Sequence, residues 1–189
     1  MERDGLVTVR EDRHLDLTHA GRSVARDVMR KHRLAERLLV DIIGMEWADA
    51  HEEACRWEHV MSAAVEAYLP PLLGDPTTDP YGNPVPGFGR PARGEEKVED
   101  VLARSKQSQE VTISRIGEPI QAETGLLEAM AEAGVVPGAR VIVSASTGDV
   151  VVSTSLQAVQ NAGLEEGFLV ISKPLAPHLF VLADMPPLV

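Results

Sequence analysis

HEEACRWEHVMS, residues 51–62, packs two imidazoles, the chain's one thiol and three carboxylates into its first nine positions, where ordinary helix packing would ask for leucines. At 100° per residue, His51, Cys55, Glu58 and His59 share about one quarter of a helix circumference, so the spacing gathers four donors on one arc. Trp57, Met61, Ala64 and Tyr68 fall on the opposite side with Val60. The same wheel therefore predicts a helix from about Trp47 to Leu69, closed by Pro70 and Pro71 and buried on two faces.

The stretch before it, MRKHRLAERLLVDIIG (29–44), completes a longer helical pattern over residues 21–43. Val24, Val28, Ala35, Leu38, Leu39 and Ile42 recur at helical spacing, and Gly44 stands where a helix can stop. His32 and Glu36 lie at i, i+4 beside this apolar stripe, which makes a second pair of ligand candidates. Imidazole and carboxylate suit borderline divalent ions, and a thiolate favours Fe²⁺, Co²⁺, Ni²⁺ or Zn²⁺ over Mn²⁺. A plainer reading competes: a His/Glu pair on a solvated helix face and a cysteine acting as a small hydrophobe. Burying His-x3-Cys-x2-Glu-His is costly unless something neutralises it, but pattern alone leaves both readings open.

Outward from these helices, LVTV (6–9) and LDLT (15–18) alternate as a short hairpin would. GDPTTDPYGNPVPGFGRPARG (74–94) is rich in Pro and Gly and is expected as loop or linker. A short helix is expected at 95–104. SKQSQEVTISRI, GARVIVSAS, DVVVST and FLVISK then read as short strands of a small β-barrel, interrupted by a helical EPIQAETGLLEAMAEAG. The fold class is thus α+β.

At 189 residues and 44% hydrophobic content the chain has room for one or two domains with a sizeable core. One cysteine makes no internal disulfide, the N-terminus is charged, and no run of 18 apolar residues occurs; a cytoplasmic protein without a membrane span is expected. The net charge of −11 argues against a general nucleic-acid coat, yet residues 1–40 hold nine Lys/Arg against seven Asp/Glu. Any DNA contact belongs at that end. Nothing matches HExxH, so an enzyme is not expected.

MRKHRLAERLLVDIIG followed by HEEACRWEHVMS closely resembles the metal-dependent repressors of the diphtheria toxin repressor family, also called iron-dependent repressors. YGNPVPG (81–87) resembles that family's loop after the dimerisation helices, and EPIQAET with AGVVPGARV resembles its SH3-like, FeoA-type domain. The resemblance covers nearly the whole chain. It implies one metal site from His32, Glu36 and His51, completed by Glu118 and Gln121, and a second from Cys55, Glu58 and His59. The second site is ordinarily completed by a methionine on the family's first helix, and no matching methionine occurs. Arg33 and Asn83 match anion-binding positions, but Asp79 stands where close relatives carry a serine, which argues against an anion there.

The implied organisation is a winged-helix remnant over 1–20 (end of the recognition helix and wing), a metal-binding and dimerisation domain over 21–90, a linker over 91–109 and the SH3-like domain over 110–189. The resemblance implies a homodimer through Trp57, Met61, Ala64 and Tyr68 and a divalent co-repressor, Fe²⁺ first, with Mn²⁺, Co²⁺, Ni²⁺ or Zn²⁺ as alternatives. Iron-uptake genes are the implied targets. With most of the helix-turn-helix missing from the match, Arg10 and Arg13 on the wing can touch phosphate but cannot read base edges, so operator binding is expected to be weak or absent. The rival reading is a metal-binding dimer acting as a buffer, or as a dominant-negative partner of a longer paralogue. The SH3-like domain could also take the chain's own 70–91 stretch as a Pro-rich ligand, against the plainer reading of a linker.

Overall fold

The computed structural model describes residues 2–105, 107–154 and 168–183. It begins with the hairpin β1 (Val7–Val9) and β2 (Leu15–Leu17), paired antiparallel with Val7 opposite Leu17. Thr18 then caps α1 (His19–Arg37): its hydroxyl accepts from the Gly21 amide at 3.0 Å and donates to the Gly5 carbonyl at 2.7 Å. Gly21 is required there, because a Cβ would lie 1.9 Å from the Leu6 carbonyl oxygen. One clash-free residue thus docks the hairpin on the helix.

α1 continues into a π-helical turn, Leu38–Ile43, ended by Gly44 at φ 77. The wider turn sits next to Glu36, at the end of α1 that faces α2 (Ala50–Trp57). Leu34, Ala35 and Leu39 pack on Ala50, Ala54, Met61, Leu69 and Val85 as a helical core.

The expected single helix from Trp47 to Leu69 is three pieces. α2 stops at Trp57, Ser62 accepts from the Val65 amide to start α3 (Ala63–Glu66), and α4 (Leu69–Leu72) contains Pro70 and Pro71 in its first turn. The physical reason is capping: a serine oxygen supplies a new start, and proline is tolerated where a first-turn amide has no helical partner anyway. The helical wheel therefore does not carry past Trp57. Met61 is buried, Trp57 half-buried, and Ala64 and Tyr68 exposed.

The C-terminal half is a six-stranded antiparallel sheet in the order β3 (Glu95–Lys97), β8 (Leu179–Ala183), β4 (Gln109–Ile116), β5 (Arg140–Ser146), β6 (Asp149–Thr154), β7 (Phe168–Ile171). Its inward residues alternate as period two demands: Val111 and Ile113, Val141 and Val143, Val150 and Val152. α5 (Val98–Ser105), α6 (Glu118–Gln121) and α7 (Leu126–Glu132) cover it. Within the stretch 91–109, expected as a linker, β3 pairs with β8, and Val98, Val101 and Leu102 lie in the core.

Nor is the Pro/Gly-rich loop slack. Tyr81 is fully buried in the sheet's core, and its carbonyl accepts from the Ile116 amide at 2.9 Å. Its hydroxyl donates to the Trp47 carbonyl at 2.7 Å, while the Asn83 amide donates to the Ile116 carbonyl at 2.8 Å. Gly82, at φ 85, passes so close to β4 that a Cβ would meet the Ser114 carbonyl oxygen at 2.3 Å. The loop joins the helical half to the sheet as a rivet.

Candidate metal centre

Three buried side chains converge where α1 crosses α2. His32 Nε2 lies 2.7 Å from Glu36 Oε1, His51 Nδ1 lies 3.1 Å from the same oxygen, and the two ring nitrogens are 3.2 Å apart. Helical spacing puts His32 and Glu36 one turn apart, and burial of Leu34 and Ala35 between them turns both toward α2. From the sheet side, α6 brings Glu118: its Oε2 stands 3.9 Å from both His32 Nε2 and His51 Nδ1. The other oxygen of Glu118 accepts from Arg33 Nη2 at 2.8 Å.

Electrostatics holds the group together as an ion pair. Burial works against a charged His32, but the hydrogen bond to Glu36 and the charges of Glu36, Glu118 and Glu58 outweigh it and raise the imidazole to about 9. Burial likewise works against the Glu36 carboxylate, and the two histidines hold it below the ordinary range. Among the described residues four buried side-chain atoms have no hydrogen-bond partner: His32 Nδ1 and Arg33 Nε, both donors or potential donors, and the acceptors Glu36 Oε2 and Gln121 Oε1. Gln121 spends its amide nitrogen on the Ile116 carbonyl at 2.6 Å, which leaves the oxygen over. Unmet acceptors beside two imidazoles and two carboxylates are what a borderline divalent cation would satisfy, so the residues present fit such an ion.

The expected second set is differently arranged. Cys55 Sγ lies 3.8 Å from His51 Nε2, one turn back on α2. Glu58 Oε2 lies 2.8 Å from His32 Nδ1, at ion-pair distance but outside hydrogen-bond alignment, and its other oxygen lies 3.2 Å from His59 Nε2. His59 falls beyond the end of α2 with its side chain 71% exposed. Burial, with the charges of Glu58, Glu36 and Glu118, pushes the Cys55 thiol up to about 11, so it keeps its proton without a cation beside it.

Arg33 and Asn83 meet a carboxylate of the chain itself. Asn83 Nδ2 donates to Asp79 Oδ2 at 3.0 Å, and Arg33 Nε stands 3.5 Å from that oxygen without a hydrogen bond. Burial and the charge of Glu36 push Asp79 well above the ordinary carboxylate range, against the pull of Arg33 and Asn83. Arg10 and Arg13 are exposed on the hairpin; Arg10 pairs with Asp16 at 3.1 Å, and Arg13 takes φ 67 in the turn.

Among the four expected interface residues, Trp57 and Met61 line an apolar groove of about 300 Å³ with Leu38, Val60, Val65 and Leu69. Ala64 and Tyr68 are not part of that lining. Two contacts escaped the sequence reading: the Arg33–Glu118 pair and the approach of Glu58 to His32. Both join residues far apart in sequence or past a helix end, which periodicity cannot register.

Residues 18–87 match the description "Iron dependent repressor, metal binding and dimerisation domain". The iron-dependent repressor IdeR of Mycobacterium tuberculosis is 48% identical over 157 residues, covering 78% of this chain and 67% of the relative. The diphtheria toxin repressor of Corynebacterium glutamicum is 42% identical over 168 residues, covering 85% and 72%. Among solved structures, a manganese-dependent transcriptional repressor in complex with manganese superposes with a TM-score of 0.72 at 28% identity, over 96% of this chain and 79% of the other. On this identity and coverage, the chain belongs to the iron-dependent repressor family, that of the diphtheria toxin repressor.

Proposed function

We propose that the chain is a metal-sensing transcriptional regulator in which a divalent cation, Fe²⁺ foremost, sits among His32, Glu36, His51, Glu118 and Gln121. The reading is carried by one observation: two buried imidazoles and a buried carboxylate within 3.2 Å of one another, with Glu118 approaching from the sheet half and Gln121 Oε1 left unpartnered. The cation would supply positive charge to two carboxylates now neutralised by protons and by Arg33. Because its ligands come from both halves, it favours the arrangement in which they are docked, which is how a ligand shifts a conformational equilibrium. The relatives named above are iron-dependent or manganese-dependent repressors, which supports the same role here.

In this reading residues 1–20 are a wing, 21–90 the metal-binding and dimerisation unit, and the sheet half an SH3-like, FeoA-type barrel starting at β3 rather than at residue 110. The short antiparallel strands and their order support the barrel. The protein pairs as a homodimer through the groove of Leu38, Trp57, Met61 and Val65, an exposed apolar surface of the kind that marks an interface. Arg10 and Arg13 stand exposed on the hairpin, where they would meet phosphate rather than base edges. A second reading is a metal-binding dimer that does not itself hold an operator.

Anaerobic calorimetry with Fe²⁺ and Mn²⁺, joined to sedimentation, tests the proposal. Stoichiometric uptake by a dimer is expected; no uptake of either ion removes it. Fluorescence anisotropy with operator DNA separates the two readings, since tight sequence-specific binding excludes the second.

A further inference from the structure

A groove of about 310 Å³ lies where β2, α1 and the Pro/Gly-rich loop meet, and none of the proposed metal ligands lines it. Leu17, Ala25, Met29 and Pro86 give it an apolar lining, and the exposed Arg22 and Arg26 add two guanidinium groups. At 100° per residue, Arg22, Ala25, Arg26, Met29 and Arg33 fall within about 100° of the α1 circumference, so one face of that helix supplies most of the wall.

Charge is unbalanced around this groove. Arg22 donates to the Leu17 carbonyl at 2.5 Å, and among the described residues neither Arg22 nor Arg26 has a carboxylate partner. The neighbouring acid on α1, Asp27, is paired with Arg30 at 3.0 Å. Arg33 is committed to the Pro84 carbonyl and to Glu118, so it adds only the aliphatic part of its side chain. In a chain of net charge −11, two cations without acids beside an apolar lining are complementary to a ligand of opposite charge with an apolar body. We propose that the groove binds a small amphipathic anion, an apolar chain or ring that carries one carboxylate or similar acidic head.

Small-molecule sites run from roughly 300 to 1,000 Å³ and are mostly apolar, with a few charged groups that fix orientation; this groove stands at the lower end of that range. The apolar body is buried on Leu17, Ala25, Met29 and Pro86, and the head meets Arg22 and Arg26 through charge-assisted hydrogen bonds. A phosphodiester backbone could use the arginines but would leave the apolar lining unfilled. The occupant touches hairpin, helix and loop at once, so it holds the hairpin on α1 in addition to the Thr18 and Gly21 contacts. The site is independent of the cation, because no proposed metal ligand takes part.

Calorimetry on the full chain with chelator present, with sodium decanoate below its micelle concentration as the probe, tests this. One site per chain is expected. Arg22→Gln combined with Arg26→Gln should weaken binding about tenfold, and decanol, the neutral counterpart, should bind the unaltered chain more weakly by a similar factor. Ala25→Phe, which fills the groove, should abolish uptake, whereas Val65→Asp, in the groove of Leu38 and Trp57, should leave it unchanged. No uptake of decanoate, or equal uptake by the double arginine variant, overturns the proposal. Uptake lost in Val65→Asp and kept in Ala25→Phe assigns the ligand to the other groove and overturns it as well. Duplex DNA binding that needs the two arginines, without decanoate uptake, makes the patch a nucleic-acid surface and has the same effect. A second measurement does not need Ala25→Phe to fold: photolabelling of the unaltered chain with a diazirine-bearing decanoate should mark peptides that contain Leu17, Met29 or Pro86, and marks confined to residues 57–69 overturn the proposal.

Discussion

Replacing Glu36 by glutamine keeps its shape and removes the charge that both histidines face. In the metal-free protein His32 holds a proton up to about 9 rather than 6.5, a difference worth about 3 kcal/mol. Glu36, hydrogen-bonded at 2.7 Å and fully buried, is the largest of the favourable causes. Removing one partner of a buried pair ordinarily costs about 3–5 kcal/mol, and relief of the carboxylate's own burial brings the figure to the lower end. Glu36→Gln should therefore lose about 3 kcal/mol in urea unfolding at pH 7 with chelator present. It should also lose the further stabilisation that saturating metal confers, about 2.7 kcal/mol at a hundredfold excess over the dissociation constant. A variant as stable as the parent, and still stabilised by Mn²⁺ or Fe²⁺, would refute the assignment of this carboxylate as the hub of the centre.

Four further outcomes are expected. The His32 contribution to metal-free stability is full below about pH 6.5 and fades as pH rises through about 9, because the folded state holds the proton more tightly than the unfolded one; a cation must displace that proton, so calorimetric metal affinity should rise about tenfold per pH unit over the same window. Gly82→Ala forces a Cβ against the Ser114 carbonyl and should lower the midpoint of thermal unfolding, by about 1–3 kcal/mol of strain, whether or not metal is present. Val65→Asp, at a position 53% exposed on the groove, should leave the circular dichroism spectrum unchanged and convert a dimer to monomer in sedimentation. Asp79→Ser should leave Arg33 and Asn83 without their internal carboxylate, so that millimolar sulfate stabilises the variant in a thermal melt while having little effect on the parent.

Much of the centre was legible because helices write their contacts at short range. The i, i+4 spacing of His32 and Glu36 and the arc from His51 to Cys55 follow from 3.6 residues per turn, and the structure brings these side chains together. The wheel failed one turn later, where Ser62 restarts the helix and the geometry that placed His59 beside Cys55 no longer applies. Glu118 and Gln121 had no local signature at all. They reach the site through the docking of the sheet on the helical half, which the Tyr81 loop and the Arg33–Glu118 pair help to hold, a tertiary fact that family resemblance could suggest and periodicity could not. The same blindness made 91–109 look like a linker: three residues of β3 are too few to show alternation, and their pairing partner lies more than eighty residues away.

The two oxygens of Glu118 have separate duties, one gripped by Arg33 and the other turned toward the histidines. Departure of a cation would vacate only the second. The helices and the sheet then keep the first, and the Tyr81 rivet, so an emptied sensor holds its docked arrangement more loosely yet can be refilled without reassembly. Loss of metal would be felt as a loosening at the imidazoles, passed along α1 to the hairpin docked at Gly21, rather than as separation of the two halves.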